Sequence, residues 1–579
     1  MKNIVLNGQK LTISEVISVA YHYHHVEIDK NALKAVRKSR NYVEQLVQNQ
    51  EVVYGITTGF GSNASKVITD YEEARLMQRN LLLSHACGVG KPFETPIVRA
   101  IMLIRLNTLL AGFSGAREET ITLLKNLINE KIHPIIPSQG SVGASGDLCP
   151  LSHMALVLIG EGLAEVDGKE ITGAKALISR KLEKIELQHK EGIALLNGTS
   201  VMTALGAIGV YEGEKLLDLC VLSSSMMFEA LCAREQAFFP QVHEVRRHTG
   251  QQEIAKKVRQ NLEKSTFFGI KAKDILAHFP ENLIKNLPSD KDNNQNGSQN
   301  NLQQQIKDLQ NGKILKISDD IFRYLPKEEN TPKWLTWATI LRFADKKITP
   351  QDAYSVRCTP QVMGASLAAI EHTKNAIENE LNAVVDNPII FVEEDLVLSA
   401  GNFHGQPVAL PLDYLKLAFA EIGNLAERQI NKLVDEATND CLPAFLSEDE
   451  SGIMSALMIP QYAAASLVSE NKVLVHPASA DSIPTCANQE DHVSMGTIGG
   501  RQALEILENV RKIVAILMLT ATQAIDIRTK QLKKAKVATQ MGKETKKLYD
   551  KIRKKVSFVD KDRFLYEDLK VLLDEWKDF

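Results

Sequence analysis

A chain of 579 residues, 44% hydrophobic and 24% charged, is long enough to bury a large core and to hold more than one domain. Its formal net charge of −3 argues against a general nucleic-acid or anionic-membrane role, and its longest apolar run, Ile513 to Leu519, is too short to span a bilayer. The first twenty residues lack the unbroken apolar core of a signal peptide. The seven cysteines (Cys87, Cys149, Cys220, Cys232, Cys358, Cys441 and Cys486) are scattered, odd in number and never in a Cys-x-x-Cys pair. They read as reduced thiols of a cytoplasmic protein, neither a disulfide frame nor a zinc site.

His22, His24 and His25 form the densest histidine cluster, but they sit in a polar segment and read as solvated surface, so no metal site is expected. Tyr54 to Gly61 (YGITTGFG) is a glycine-laced loop carrying one phenol, the kind of segment that serves as a lid. Residues 140–150 read GSVGASGDLCP. Val201 to Ala237 is long and mostly apolar, as a buried helix would be. Between Lys291 and Asn311 an Asn/Gln-rich tract offers too little apolar surface to offset its ordering entropy, which predicts a mobile loop. It lies within a stretch, 265–348, that holds Trp334 and Trp337 and is expected to be partly folded.

Strand patterns are scarce and short, the best lying around Ile389 to Leu398. Leu412, Leu415, Phe419, Ile422, Ala426, Ile430 and Leu433 are spaced 3, 4, 3, 4, 4, 3. Lys416, Glu421, Glu427 and Arg428 take the remaining faces, which predicts a long amphipathic helix of bundle type. Arg501 to Ile527 is similar, and for two turns apolar on nearly all faces, so it is expected at the centre of a bundle or an oligomer. Arg528 to Lys555 carries twelve Lys/Arg against two Asp/Glu and reads as a solvated helical face around a short apolar stripe. The chain is therefore expected to be mainly α. An N-terminal domain, 1–200, would carry the Tyr54 loop and the glycine-rich segment. A central helical bundle would follow from 201–264 and 349–527, with 265–348 inserted and 528–579 as a basic helical tail.

The tripeptide Ala144-Ser145-Gly146 carries a specific chemistry. In a tightly bent loop the Gly146 nitrogen can be pressed against the Ala144 carbonyl carbon, since glycine has no side chain to block the approach. Attack closes a five-membered ring, loss of water conjugates it, and loss of a second water from Ser145 leaves an exocyclic methylene. Such a group is an electrophile that no unmodified side chain offers, and enzymes otherwise borrow one from a cofactor. A phosphate-cradling loop is disfavoured, because the glycine order is wrong and no Lys-Ser/Thr pair follows.

The run from Gly140 to Gly162 resembles the cofactor-forming segment of the histidine and aromatic amino-acid ammonia-lyases, in which Ala-Ser-Gly becomes 4-methylidene-imidazol-5-one (MIO). Other blocks match that family in order along the chain, from Tyr54 to Gly496. The resemblance implies that Tyr54 of the lid loop acts as base, and that Leu83-Ser84-His85 supplies Ser84 and His85 to recognise the substrate ring. It implies that Asn197, in Leu195-Leu196-Asn197-Gly198-Thr199, lies beside the prosthetic group. Gln351-Asp352-Ala353-Tyr354-Ser355-Val356-Arg357 would supply Gln351, Tyr354 and Arg357, and a guanidinium at Arg357 suits a substrate carboxylate because its planar fork donates two parallel hydrogen bonds. Phe403, in Gly401-Asn402-Phe403-His404-Gly405, and Gln489 and Glu490, in Asn488-Gln489-Glu490-Asp491-His492, complete the expected site.

The resemblance covers roughly residues 10–527, less the insertion, and implies a fumarase/aspartase-like helical architecture. It also implies a cytoplasmic homotetramer whose active sites are shared between subunits. Glu490 can hydrogen-bond an imidazole N–H, which points to elimination of ammonia from L-histidine to give trans-urocanate. Tyrosine ammonia-lyase or an aromatic aminomutase is the alternative. Cys149 and Ser152 stand where alanines are common in histidine lyases, Ala353 stands where proline is common, and the runs from Asn197 to Ala204 and from Arg247 to Leu262 are as similar to bacterial tyrosine ammonia-lyases as to histidine ones.

Overall fold

The stripe from Leu412 to Leu433 is buried at all seven positions along one helix, Gln406–Val434. In the computed structural model, which describes residues 3–59, 66–68, 70–288, 302–313 and 317–579, the chain is mainly α. Its longest helices are Ser200–Ala230, Thr359–Glu380, Gln406–Val434 and Gly496–Lys534. The charged positions of the third are not all at the surface. Lys416 is fully buried, because its ammonium finds Asp413 at 2.7 Å, the His476 carbonyl at 2.8 Å and Gln502 Oε1 at 2.7 Å. A buried charge with its donors satisfied is tolerated where a lone one is not.

The chain clusters into two units, the first formed by Met1–Glu214, Ala369–Leu417 and Leu474–Leu507, the second by Lys215–Ala368, Ala418–Val473 and Glu508–Phe579. In the first, helix Thr95–Leu110 is buried at every residue from Val98 onward. Its polar members are tied to backbone. The Arg99 guanidinium donates to the Val19 and Ile128 carbonyls at 2.9 Å each, and Asn107 donates to Leu381 O at 2.9 Å while accepting from Gly8 N at 3.0 Å. Around it lie short β elements: Ile4–Leu6 pairs in parallel with Val26–Ile28, and His133–Pro134, Leu163–Val166 and Lys169–Thr172 form a three-stranded antiparallel sheet. The strand expected near 389–398 is a hairpin, Ile389–Phe391 against Leu396–Leu398.

In the second unit, Ile513 to Leu519 is buried within the single chain, so the all-apolar turns of helix Gly496–Lys534 need no oligomer to cover them. The 265–348 stretch is folded around Phe267, Ile275, Leu276, Ile306, Ile321 and Leu341. The expected mobile loop at 291–311 is corrected in its second half. Leu302–Gln310 is a helix that buries Leu302, Ile306 and Leu309, a one-sided stripe sufficient to dock it despite its glutamines; residues 291–301 lie outside the described residues. In the basic tail, helix Lys543–Arg553 buries only Thr545, Leu548 and Ile552, as a solvated face around a short stripe should. Arg528, however, is buried, donating to Ala230 O at 2.8 Å and Asp440 O at 2.7 Å and lying 3.8 Å over the Phe343 ring.

Candidate active site

The glycine-rich loop of the first unit bends back on itself. Gly143, Ser145 and Gly146 all have positive φ, at 81°, 52° and 78°, a conformation costly for serine and free for glycine. The Gly146 amide points back to the Gly143 carbonyl at 3.4 Å, and both flanks are fastened to Gly198, whose N–H donates to Ser145 O at 2.9 Å and whose carbonyl accepts from Asp147 N at 2.8 Å. The approach is so close that a Cβ on Gly146 would stand 2.2 Å from the Gly198 oxygen.

Asp147 anchors the loop from below. Its buried carboxylate accepts the Val201 and Met202 amides at 2.9 Å each, together with the Ser141 and Thr497 hydroxyls. It thereby caps the N-terminus of helix Ser200–Ala230, an arrangement worth about 1 kcal/mol in a typical cap. Burial raises the carboxyl's pKa, while the bonds from Thr497, Met202, Ser141 and Val201 oppose that shift.

A cavity of about 970 Å³ opens over Ser145, lined among others by Tyr54, Ser84, His85, Asn197, Phe403, Gln489 and Glu490. Of the residues expected at the site, all those belonging to this unit with a side chain longer than a methyl group are therefore brought together. Tyr54 enters on a turn tied by threonine side chains: Val53 N donates to Thr57 Oγ1 at 2.9 Å and Gly55 N to Thr58 Oγ1 at 3.1 Å, the local bonding that favours turns over helix. Phe60 and Gly61, the end of that loop, lie outside the described residues. Ser84 and His85 close helix Tyr71–His85, with Ser84 Oγ 3.1 Å from His85 Nδ1. Burial lowers the pKa of the His85 imidazole, and the nearby Glu490 charge partly offsets this.

Glu490 is carried on an unusual stretch of backbone. Cys486, Ala487 and Asn488 have φ of 49°, 52° and 65°, three non-glycine residues in succession in the left-handed region. Thr485 and Glu490 bridge across them, N to O at 2.9 and 3.3 Å. Thr485 Oγ1 donates to Glu490 Oε2 at 2.8 Å, while Glu490 Oε1 accepts from the Ser145 hydroxyl at 3.4 Å. Strain of this kind persists only where the surroundings fix it.

Asn197 is 3% exposed. Its amide donates to the Asn387 carbonyl at 2.8 Å and to Asp386 Oδ1 at 3.3 Å. Asp386 is paired in turn with Lys190 at 2.6 Å, both side chains at zero exposure. Arg105 donates to the Ala194 carbonyl at 3.1 Å and also to that of Asn197. Its pKa is pushed down to about 10 by burial, against the opposing pull of Asp386 and Asp147. Lys190, Asp386 and Thr485 have no counterpart in the sequence reading, because nothing in their local context marks them.

Gln351, Tyr354 and Arg357 belong to the second unit and are absent from the cavity lining. Tyr354–Arg357 is a single helical turn. Tyr354 is 70% exposed, with the Arg357 guanidinium 4.5 Å from its ring centroid. Arg357 Nε donates to Asp352 O at 2.9 Å, and Arg234 holds the Asp352 carboxylate at 2.7 Å from both its backbone and its side chain. Gln429 donates to Ser355 O at 2.9 Å. The turn is thus held firmly while presenting an aromatic ring and a guanidinium at the surface.

Residues 11–554 match the family model described as aromatic amino acid lyase. Among curated proteins, the chain is 42% identical over 569 residues to the histidine ammonia-lyase of Alkaliphilus oremlandii, covering 98% of this chain and 96% of that one. Among solved structures it is similar to histidine ammonia-lyase from Trypanosoma cruzi, with a TM-score of 0.79 and 32% identity over 100% of this chain and 94% of that one. It is also similar to tyrosine aminomutase from Streptomyces globisporus, with a TM-score of 0.83 and 31% identity over 100% and 97%. A match over residues 11–554, with a relative 42% identical over nearly the full length, makes the chain a member of the aromatic amino acid lyase family.

Proposed function

We propose that this protein is a histidine ammonia-lyase, converting L-histidine to trans-urocanate and ammonia. The observation that carries the reading is the Glu490 carboxylate in the cavity wall, held by Thr485 and facing Ser145 across 3.4 Å. A carboxylate there accepts an imidazole N–H, whereas it offers nothing to an unsubstituted phenyl ring. The name shared by full-length relatives near 40% identity supports the same substrate.

Ala144, Ser145 and Gly146 would form MIO. The loop fits this chemistry, with its left-handed residues, its inward-turned Gly146 amide and a cradle at Gly198 that admits no side chain on residue 146. Once formed, the group supplies the electrophile that labilises the substrate. The remaining work falls to side chains. Tyr54 takes the β-hydrogen as general base, which needs a site from which water is excluded. Glu490, with Ser84 and His85, orients the ring; Asn197, Phe403 and Gln489 line the pocket. Arg357 holds the substrate carboxylate, its Nε already engaged by Asp352 O, so that both Nη groups remain for the two oxygens. Gln351 and Tyr354 accompany it.

We infer that these last three come from another copy of the chain within a homotetramer. Leu410, Tyr414 and Leu417 are each 45% exposed or more on the same face of helix Gln406–Val434, at the i, i+4, i+7 spacing of a helix-packing stripe. Among the described residues no helix is long and apolar enough to cross a membrane, and the seven cysteines are all free, which suits a reducing compartment such as the cytoplasm. Parallel incubation with histidine, tyrosine and phenylalanine, followed by the ultraviolet absorbance of each conjugated product, tests the assignment. Coumarate appearing faster than urocanate would replace it with tyrosine ammonia-lyase.

A further inference from the structure

Asn197 lines the cavity, and its side-chain nitrogen is already committed to two partners. The Asn387 carbonyl and the Asp386 carboxylate are acceptors only, so the NH₂ end must face them. The flipped amide would set its oxygen against two acceptor oxygens at a buried position. The carbonyl end is what remains for the cavity.

Asp386 lies at zero exposure, where a carboxylate needs a compensating charge. Lys190 supplies it at 2.6 Å, and the Asn387 amide adds a bond to Oδ1 at 2.7 Å. Lys190 is itself unusual, with a φ of 74° immediately before helix Glu191–Leu196, the short helix that leads into Asn197. Arg105 fixes the backbone of the same residue through its carbonyl. Backbone and side chain of Asn197 are thus held separately, by one cation directly and by another through a carboxylate.

We propose that Lys190 and Asp386 are positioning residues that lock the Asn197 amide with its carbonyl oxygen toward the cavity, where it accepts a hydrogen bond from the substrate's α-ammonium group. The proposal rests on the lyase reading above. It gives Asn197 a defined role as acceptor for the amino group that leaves, and it gives the fully buried Lys190–Asp386 pair a function.

The test separates amine recognition from the rest of binding. In a Ser145→Ala background, which cannot turn over, the affinities of L-histidine and of 3-(imidazol-4-yl)propionate, which lacks the amine, are measured by calorimetry. Asp386→Asn, whose amide can present either end, is expected to weaken L-histidine at least tenfold and the amine-free analogue less than twofold. Equal weakening of both ligands, or of neither, overturns the proposal, since a merely structural role does not distinguish them. Because Asp386→Asn strands a buried ammonium and can fail to fold, the paired change Lys190→Gln, Asp386→Asn, which leaves no lone charge, is read in the same way.

Asn197→Ala closes the cycle. It should lose the same selectivity, and adding Asp386→Asn to it should cost no further selectivity. Retention of the wild-type ratio in Asn197→Ala overturns the proposal whatever the other variants do. Urocanate production by the unmodified protein is measured first. Its absence sinks the lyase reading, whereas turnover combined with unselective binding sinks only the role of the ion pair.

Discussion

The Ser145 hydroxyl and the Glu490 carboxylate lie 3.4 Å apart although 345 residues separate them in the chain. One belongs to the segment expected to build the electrophile, the other to the segment expected to read the substrate ring. Their contact joins chemistry and specificity in one wall of the cavity. The bond also places an acceptor against the hydroxyl that would leave as water if the triplet forms MIO.

Ser145→Ala removes that hydroxyl and nothing else. Turnover should fall by several orders of magnitude, while the melting temperature stays within a few degrees. Peptide mass spectrometry of the enzyme without substitutions should find residues 144–146 lighter by two waters. A peptide of full mass in active enzyme would exclude MIO chemistry.

Glu490→Gln keeps the length of the side chain and its bond to Thr485, and removes the charge. Histidine turnover should fall far more than any residual tyrosine turnover, read as the ratio of kcat/KM values. Equal losses on both substrates would take the role of ring reader from Glu490 and give it to Ser84 and His85.

Tyr54→Phe deletes a single hydroxyl from a half-buried ring on the turn at 54–57. The fold should be undisturbed and the chemical step should slow by about 10² or more, the usual contribution of a general base. Near-normal turnover would move the role to Tyr354.

What the sequence made legible, and what it concealed, follows from range. The helix stripe from Leu412 to Leu433 could be read because its periodicity is local, and the triplet because its ring closure involves three successive residues. The burial of Lys416 could not be read, since two of its partners, His476 and Gln502, lie 60 and 86 residues away. Lys190 and Asp386 lie 196 residues apart and resemble any surface pair until folded. In the 291–311 tract the composition dominated, and the Leu302, Ile306 and Leu309 spacing, which docks a helix, was hidden among glutamines.

His153 gives a pH dependence with a definite sign. Its Nε2 accepts the Gly88 N–H at 3.0 Å, so protonation would set two N–H groups against each other, and burial lowers its pKa. A histidine whose folded pKa lies below the unfolded value of about 6.5 lends stability that is present above that value and lost as pH falls through the folded one. The melting temperature should therefore drop between pH 7 and pH 5. His153→Gln, which keeps an acceptor for Gly88 and cannot titrate, should drop less. Identical pH slopes would remove His153 from the account.

The last expectation concerns the shared site. Tyr54 lines the cavity of the first unit, while Arg357 sits half-buried on a turn of the second, held by Asp352 and stacked on a Tyr354 ring that is 70% exposed. A guanidinium and an aromatic ring fixed this firmly at a surface are poised for a partner, and a symmetric oligomer offers every copy the same one. If each site takes Tyr54 from one subunit and Arg357 from another, then Tyr54→Phe and Arg357→Ala proteins, each inactive alone, should regain activity when their subunits exchange. In a hybrid some sites receive both intact residues. The regained fraction should depend on the mixing ratio and peak near equal amounts, and it should be absent when the two proteins are mixed without subunit exchange. Full activity in a monomer by light scattering, or no regain after exchange has been demonstrated by mass, would return both residues to one chain.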